Sequence, residues 1–215
     1  MTEFVVVRHG ESTGNQNNEF HGQTNSDITE KGALQARETG LFLKDTSFDA
    51  VYSSDIRRAM STARGVLGER NIEIVPCKSL REIYAGKWEL MKFSDIAEQY
   101  PEEYRLWKED IASCTCPGGE SVRELRDRIK AAFDDIAREN DGKRVLITTH
   151  ATPIRVMYSV WKGLPLEVVS TIKWVSNASV TVVRYDNRGG YELLSYGENE
   201  HLEKAGLVTK LSKKI

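Results

Sequence analysis

The chain has 215 residues, of which 40% are hydrophobic, so it can bury the core of one full domain. Thirty basic and 32 acidic residues leave a net charge of −2, which gives no electrostatic argument for nucleic acid or an acidic membrane surface as a partner. No window approaches the roughly 18 apolar residues of a membrane span, and no secretory pattern opens the chain. We expect a cytoplasmic protein whose three cysteines are free thiols.

Apolar periodicity predicts alternating strands and helices. Strand patterns occur at 3–7, 49–53, 72–76, 144–149, 179–185 and 191–196. Helical patterns occur at 29–44, 55–69, 94–108, 120–139 and 153–162, and the third is interrupted at Tyr100-Pro101, where a helix must stop and restart. This order predicts an α/β fold, a three-layer α/β/α sandwich with a mostly parallel central sheet.

Residues 88–118 are rich in Trp, Tyr and charged side chains and end in Cys116-Pro117-Gly118-Gly119. This composition indicates a small helical cap inserted into one domain that spans 1–215. Whether the strand at 179–185 lies within the sheet or pairs with a partner stays open. The oligomeric state, monomer or homodimer, is also left open.

Three further features of the sequence are assigned no role in catalysis or binding. The tail from Lys210 to Ile215 contains three lysines and is expected to be a solvated, frayed end. Asn177-Ala178-Ser179 matches a glycosylation acceptor formally, and in a cytoplasmic chain we attribute the match to chance. His201 is expected to have a structural role.

The most informative stretch is Phe4-Val5-Val6-Val7-Arg8-His9-Gly10. Its apolar run is mostly β-branched and predicts a buried strand. Arg8 and His9 then lie at the carboxyl end of that strand, where open α/β sheets bind their ligands. An imidazole beside a permanently charged guanidinium suits the attack on a phosphoryl group, or its binding.

Two other strand ends carry matching groups. The strand pattern at 144–149 ends on His150, and Thr152-Pro153 is a favourable helix start, so the helix dipole there favours an anion. The strand pattern at 49–53 leads into a helix whose first turn carries Arg57 and Arg58. Guanidinium groups hold phosphate oxygens in a bidentate fork, although Arg57 fits a surface position equally well. The three strand ends together predict a phosphate site.

These residues resemble the histidine phosphatase superfamily, also called the phosphoglycerate mutase-like superfamily, over nearly the whole chain. The motifs that carry the resemblance are Arg8-His9-Gly10-Glu11-Ser12-Thr13-Gly14-Asn15, the stretch from Gly22 to Ala36, Ser53-Ser54-Asp55-Ile56-Arg57-Arg58-Ala59, Leu80-Arg81-Glu82-Ile83-Tyr84-Ala85-Gly86-Lys87-Trp88-Glu89, and His150.

The resemblance implies roles for the matching residues. His9 is the nucleophile that forms a phosphohistidine, and Glu82 is the proton donor. Phosphate is expected to bind Arg8, Asn15, Arg58 and a protonated His150, with Ala151 beside the phosphate and His21 at the mouth of the pocket. His9 must be neutral, with its second ring nitrogen held by an acceptor for which a backbone carbonyl is suitable. We expect bound phosphate to raise the pKa of Glu82.

No metal and no other cofactor is implied. The chain has no nucleotide-binding P-loop, no cysteine followed by arginine six residues later, and no clustered metal-ligand spacing.

Two positions depart from the family pattern. Ala151 follows the second histidine, where glycine is usual, and would be strained if the loop needs a positive φ. Leu90 stands where phosphatases commonly have glycine after Trp-Glu, so the mouth of the site is expected to be narrower or more apolar.

Three functions remain at this point. We favour a metal-independent phosphatase that hydrolyses small phosphorylated metabolites, because two segments resemble the phosphatase branch of the superfamily. They are Trp88-Glu89, which follows Gly86, and Pro117-Gly118-Gly119-Glu120-Ser121. The alternatives are a 2,3-bisphosphoglycerate-dependent phosphoglycerate mutase and an inactive module that binds phosphate or protein. Aromatic and apolar cap side chains are expected to select the substrate; they are Trp88, Met91, Phe93, Tyr100, Tyr104 and Trp107.

Overall fold

The structure is a computed structural model and describes residues 1–209. The predicted frayed tail from Lys210 to Ile215 lies outside the described residues. The strands are β1 (Thr2–Arg8), β2 (Glu19–Phe20), β3 (Ala50–Ser53), β4 (Ile74–Pro76), β5 (Met91–Lys92), β6 (Arg144–Thr149), β7 (Val180–Asp186) and β8 (Gly190–Glu198). The α-helices are α1 (Thr13–Asn17), α2 (Glu30–Phe42), α3 (Arg57–Leu67), α4 (Phe93–Gln99), α5 (Pro101–Glu109), α6 (Val122–Glu139), α7 (Ala151–Trp161) and α8 (Glu200–Lys204).

A six-stranded sheet organises the molecule, with the order β4-β3-β6-β1-β7-β8. The first four strands of this order run parallel, and β7 and β8 are antiparallel to their neighbours. Because β7 lies between β1 and β8, the strand predicted at 179–185 belongs to the sheet. The parallel strands β1, β3 and β6 all end at the same edge, which brings their carboxyl-terminal residues together.

Both faces of the sheet are covered, which confirms the predicted three-layer α/β fold. Phe4 and Val6 of β1 point into one apolar cluster, and Val5 and Val7 point into the other. Along a strand, successive side chains alternate between faces, so a run of four buried apolar residues requires cover on both sides. The Phe4 ring meets that of Phe133 on α6 at 5.2 Å between centroids.

Local sequence explains where the helices begin. Thr29 accepts a hydrogen bond from the Gly32 amide at the start of α2, and Ser121 and Glu124 form a capping box at the start of α6. The predicted break at Tyr100-Pro101 separates α4 from α5, and the proline occupies the first turn of α5.

The elements that the sequence did not predict are short. Among the strands and α-helices they are α1, β2, β5 and α8, none longer than five residues. Strands β2 and β5 pair with each other and join the loop after β1 to the segment that carries α4 and α5. Within residues 1–209, none of the helices combines the length and the apolar character that a bilayer crossing requires.

Candidate active site

Two histidines meet at the carboxyl edge of the sheet. His9 follows β1 and His150 follows β6, and their ring centroids are 5.1 Å apart. The parallel pairing of β1 with β6 sets this separation, because Arg8 is in register with Thr149 and the His9 amide donates to the Thr149 carbonyl at 2.9 Å.

The surroundings of His9 favour a neutral ring with one free nitrogen. Its Nδ1 lies 2.7 Å from the Gly10 carbonyl oxygen, which can only accept, so Nδ1 carries the proton and Nε2 keeps its lone pair. Burial, together with the charges of Arg58 and Arg8, lowers the pKa of His9 well below 6.5. The Gly10 carbonyl is the backbone acceptor that the sequence analysis expected.

Positive charge in the site comes from two buried arginines. Arg8 donates to the Val175 carbonyl at 2.5 Å, and Arg58 donates to the carbonyls of Thr24 and Gly22 at 2.7 and 2.6 Å. Burial lowers the pKa of each guanidinium to about 10, which keeps both charged at neutral pH.

Arg57, by contrast, has a side chain that is 68% exposed. The part of the chain that the structure describes contains no group of three or more His, Cys, Asp or Glu side chains arranged for a metal ion.

Glu82 supplies a buried carboxyl group to the cavity described below. Its Oε1 accepts from the Ile83 amide at 2.8 Å, and its Oε2 accepts from the Thr152 amide at 3.3 Å. Burial raises the pKa of Glu82 against the opposing effect of these donors and of Arg58. Burial therefore raises this pKa before any phosphate binds, whereas the sequence analysis ascribed the rise to bound phosphate.

Asn15 and His21 lie on the loop and short helix after His9. The Oδ1 of Asn15 accepts from the amide and the hydroxyl of Ser12, both at 3.1 Å. His21 makes hydrogen bonds with the Ser26 hydroxyl at 2.8 Å and with Glu19 at 3.1 Å. Both residues line the cavity described below.

The resemblance implies a protonated His150 when phosphate is bound, and the surroundings of the ring in the protein alone favour its neutral form. The ring is fully buried, its Nε2 lies 2.8 Å from the Ser54 hydroxyl, and its Nδ1 has no hydrogen-bond partner among residues 1–209. Burial, followed by the charges of Arg58, His9 and Arg8, lowers the pKa of His150 well below 6.5. These surroundings therefore favour the neutral ring of His150.

A cavity of about 260 Å³ opens over these groups. Of the predicted site residues, Arg8, His9, Asn15, His21, Arg58, Glu82 and Ala151 line it. His150 does not line the cavity and is buried against the ring of His9. Of the six cap side chains expected in its walls, Phe93 and Trp107 line the cavity. The other four do not, because Trp88 is fully buried in the core and Met91, Tyr100 and Tyr104 pack against that core.

The sequence analysis missed several lining residues. Phe20 lies on the two-residue strand β2, Trp174 and Asn177 lie on the loop before β7, and Thr209 lies near the end of the described chain. Trp174 is held from behind by Arg155, whose guanidinium carbon lies 4.1 Å from the centroid of the indole ring. None of these residues belongs to a periodic pattern, which is the signal that the sequence analysis used.

Both departures from the family pattern have a structural outcome. Ala151 is the first residue of α7 and is not among the described residues with positive φ, so the strain considered for it does not arise. Leu90 does have a positive φ, 65°, and its side chain is 57% exposed. Leu90 does not line the cavity, so the expected narrowing of the mouth by this side chain is wrong.

Comparison with known proteins places the chain in a family. A model of the histidine phosphatase superfamily (branch 1) matches residues 4–199. A metal-independent phosphoserine phosphatase of Arabidopsis thaliana is 32% identical over 213 residues, which cover 98% of this chain and 87% of that protein. A 2,3-bisphosphoglycerate-dependent phosphoglycerate mutase of Parvibaculum lavamentivorans is 32% identical over 194 residues, which cover 86% of this chain and 91% of that protein.

A solved structure agrees with this placement. Bacillus stearothermophilus YhfR superposes with a TM-score of 0.90 at 28% sequence identity, covering 94% of this chain and 100% of that one. The chain therefore belongs to the histidine phosphatase superfamily (branch 1), the superfamily that its motifs predicted.

Proposed function

We propose that the protein hydrolyses small phosphomonoesters without a metal, through a phosphohistidine formed on His9. One observation carries the proposal: the hydrogen bond from His9 Nδ1 to the Gly10 carbonyl leaves Nε2 as a neutral nucleophile in a cavity lined by two buried arginines.

In the first step, the lone pair of His9 Nε2 forms a bond to phosphorus while the bond from phosphorus to the ester oxygen breaks. Glu82 transfers its proton to that oxygen, so the alcohol leaves neutral and Glu82 becomes a carboxylate. The raised pKa of Glu82 supports this role, because the acid has to be protonated before the attack.

In the second step, a water molecule attacks the phosphohistidine. Glu82 accepts a proton from the water, a new bond joins the water oxygen to phosphorus, and the bond from phosphorus to Nε2 breaks. Inorganic phosphate leaves, and both His9 and Glu82 return to their starting protonation states.

Charged and polar side chains around the phosphoryl group stabilise the negative charge of the transition state. The transition state spreads negative charge over three equatorial oxygens, and Arg8 and Arg58 are fixed in place by backbone carbonyls before substrate arrives. A bound dianion raises the pKa of His150 and allows its ring to donate a hydrogen bond. Asn15 adds its amide.

Further proposals concern the setting of this activity. The substrate is a small phosphorylated metabolite whose organic part contacts the wall formed by Phe20, Phe93, Trp107 and Trp174. Residues 1–215 form one domain in which 88–118 is a cap, since Trp107 of α5 and Phe4 of β1 share one apolar cluster. The protein is cytoplasmic, in keeping with three free cysteines, and is a monomer or a homodimer.

The second candidate is the bisphosphoglycerate-dependent mutase, which the similarity to the Parvibaculum lavamentivorans enzyme favours. A mutase uses the same nucleophile and must protect the phosphohistidine from water. The other alternative, an inactive binding module, requires that these residues bind phosphate and catalyse neither hydrolysis nor phosphoryl transfer.

Phosphate release from a panel of phosphomonoesters, measured with EDTA present, tests the proposal. We expect release by the native chain and none by His9→Ala. Arg58→Ala and Arg57→Ala form a matched pair: loss in the first with retention in the second is expected, because only Arg58 lines the cavity. Interconversion of phosphoglycerates that requires bisphosphoglycerate, without hydrolysis, would assign the mutase, and phosphate binding without either reaction would assign the binding module.

A further inference from the structure

Asn177 lies in the loop before β7 and takes part in no step derived above. Its side chain is only 1% exposed, so the formal glycosylation acceptor at Asn177-Ala178-Ser179 is closed to an oligosaccharide in the folded protein. A buried amide that lines the cavity of the proposed site requires another explanation.

The amide nitrogen of Asn177 joins two residues of the proposed phosphate site. Its Nδ2 donates to the His9 carbonyl oxygen at 3.0 Å and to the Oδ1 of Asn15 at 3.0 Å. The two hydrogens of one amide group thus fix both the backbone of the nucleophile and the side chain of a phosphate-binding residue.

These contacts determine which way the Asn15 amide faces. Its Oδ1 accepts from the Ser12 amide, the Ser12 hydroxyl and Asn177 Nδ2, at 3.0 to 3.1 Å. An amide oxygen with three donors around it is saturated, so the other end of the group, Nδ2, is left to face the cavity that Asn15 lines. An amide turned the opposite way would present its oxygen to a phosphate dianion and repel it.

Backbone strain and an unpaired polar atom accompany this arrangement of the Asn177 side chain. Ala178 has φ 55°, in the left-handed region that disfavours an alanine, and the Oδ1 of Asn177 is buried without a hydrogen-bond partner among the described residues. Ala178 is held in this conformation from both sides, since its amide donates to the Arg8 carbonyl at 3.0 Å and its carbonyl accepts from the Thr39 hydroxyl at 2.8 Å. Strain that neighbouring contacts enforce beside a site is typical of functional geometry.

From these contacts we infer that Asn177 is a positioning residue, which orients the Asn15 amide so that it donates to phosphate and holds the His9 backbone in place. The inference rests on the proposed function for the role of Asn15. It predicts that Asn177 acts on phosphate through Asn15 and has little effect once Asn15 is gone.

A double-mutant cycle tests this inference, with inorganic phosphate as the probe and calorimetry as the readout. The proteins are the native chain, Asn15→Ala, Asn177→Ala and the double variant, each checked for folding by thermal unfolding. We expect each single substitution to weaken phosphate binding by about tenfold or more, the loss typical of a charge-assisted hydrogen bond. We expect the double variant to bind no more than about threefold more weakly than Asn15→Ala.

The opposite pattern would overturn the inference. If the losses multiply in the double variant, or if Asn177→Ala binds phosphate as the native chain does, Asn177 has only a packing role. Asn177→Ser, whose hydroxyl is too short to reach Asn15, serves as the second variant if Asn177→Ala does not fold, and the same pattern is expected. Ala178→Gly is the matched control, because glycine keeps the positive φ, and its phosphate affinity should equal that of the native chain.

The same experiment separates this inference from the proposed function. If the native chain binds phosphate but hydrolyses no ester, the proposed hydrolysis fails and the cycle still decides the role of Asn177. If the native chain does not bind phosphate, both fail.

Discussion

Acid should destabilise the protein through the two buried histidines of the site. In the unfolded chain, each imidazole takes up a proton as the pH falls through 6.5, whereas burial and the neighbouring arginines hold the pKa of both His9 and His150 well below that value in the folded protein. The unfolded state therefore binds more protons below pH 6.5, and the free energy of unfolding falls as the pH is lowered.

The magnitude follows from linkage. About one pH unit below 6.5, each ring that stays neutral in the folded state reduces the free energy of unfolding by about 1.4 kcal/mol, or about 3 kcal/mol for the pair. Glu82 acts in the opposite direction, because its raised pKa lets the folded state gain a proton as the pH falls. Comparing variants at the same two pH values removes most of this shared contribution.

Urea unfolding of the native chain, His9→Gln and His150→Gln at about pH 8 and about pH 5.5 measures the effect, in buffers free of phosphate and sulfate. Each variant is expected to lose about 1.4 kcal/mol less than the native chain between the two conditions, whatever its stability at the higher pH. Equal pH dependence in all three proteins would show that the rings are not held neutral and would refute this reasoning.

Three further outcomes are expected. Glu82→Gln should lower kcat/KM for alkyl phosphates by about 100-fold or more and that for p-nitrophenyl phosphate much less, since a good leaving group needs no proton; equal losses in steady-state kinetics would contradict the role of Glu82 as acid. Trp174→Ala should raise KM for phenyl phosphate by about tenfold while leaving glycerol phosphate nearly unchanged, and a uniform change would remove Trp174 from the substrate wall. Leu90→Gly should keep full activity, and it should change the free energy of unfolding by less than about 1 kcal/mol, because relief of the left-handed strain offsets the added entropy of the unfolded chain. A loss of activity would show that the Leu90 side chain contributes to the site.

The sheet and the residues at its carboxyl edge were predictable for a physical reason. A buried parallel strand reads as a continuous apolar run, and the polar residue after it marks the edge where ligands bind. His9 and His150 each follow such a run, so their proximity could be expected before their 5.1 Å separation was known.

The remainder of the site depends on contacts that leave no local pattern. Trp174 and Asn177 lie on a loop that buried arginines hold through backbone carbonyls, and β2 and β5 are too short to show alternation. The low pKa of His150 in the protein alone also leaves no local pattern, because it follows from the burial of the ring and from the charges that the fold brings near it.

Trapping the phosphorylated enzyme tests the central claim most directly. The native chain is mixed with a phosphomonoester, quenched rapidly in alkali, and digested, and the peptide that contains His9 is analysed by mass spectrometry. A phosphoryl group on His9 that is lost on acid treatment, and that is absent from His9→Ala, is the predicted result. Steady hydrolysis by the native chain with no phosphoryl group on His9, or with one on another residue, would contradict the account.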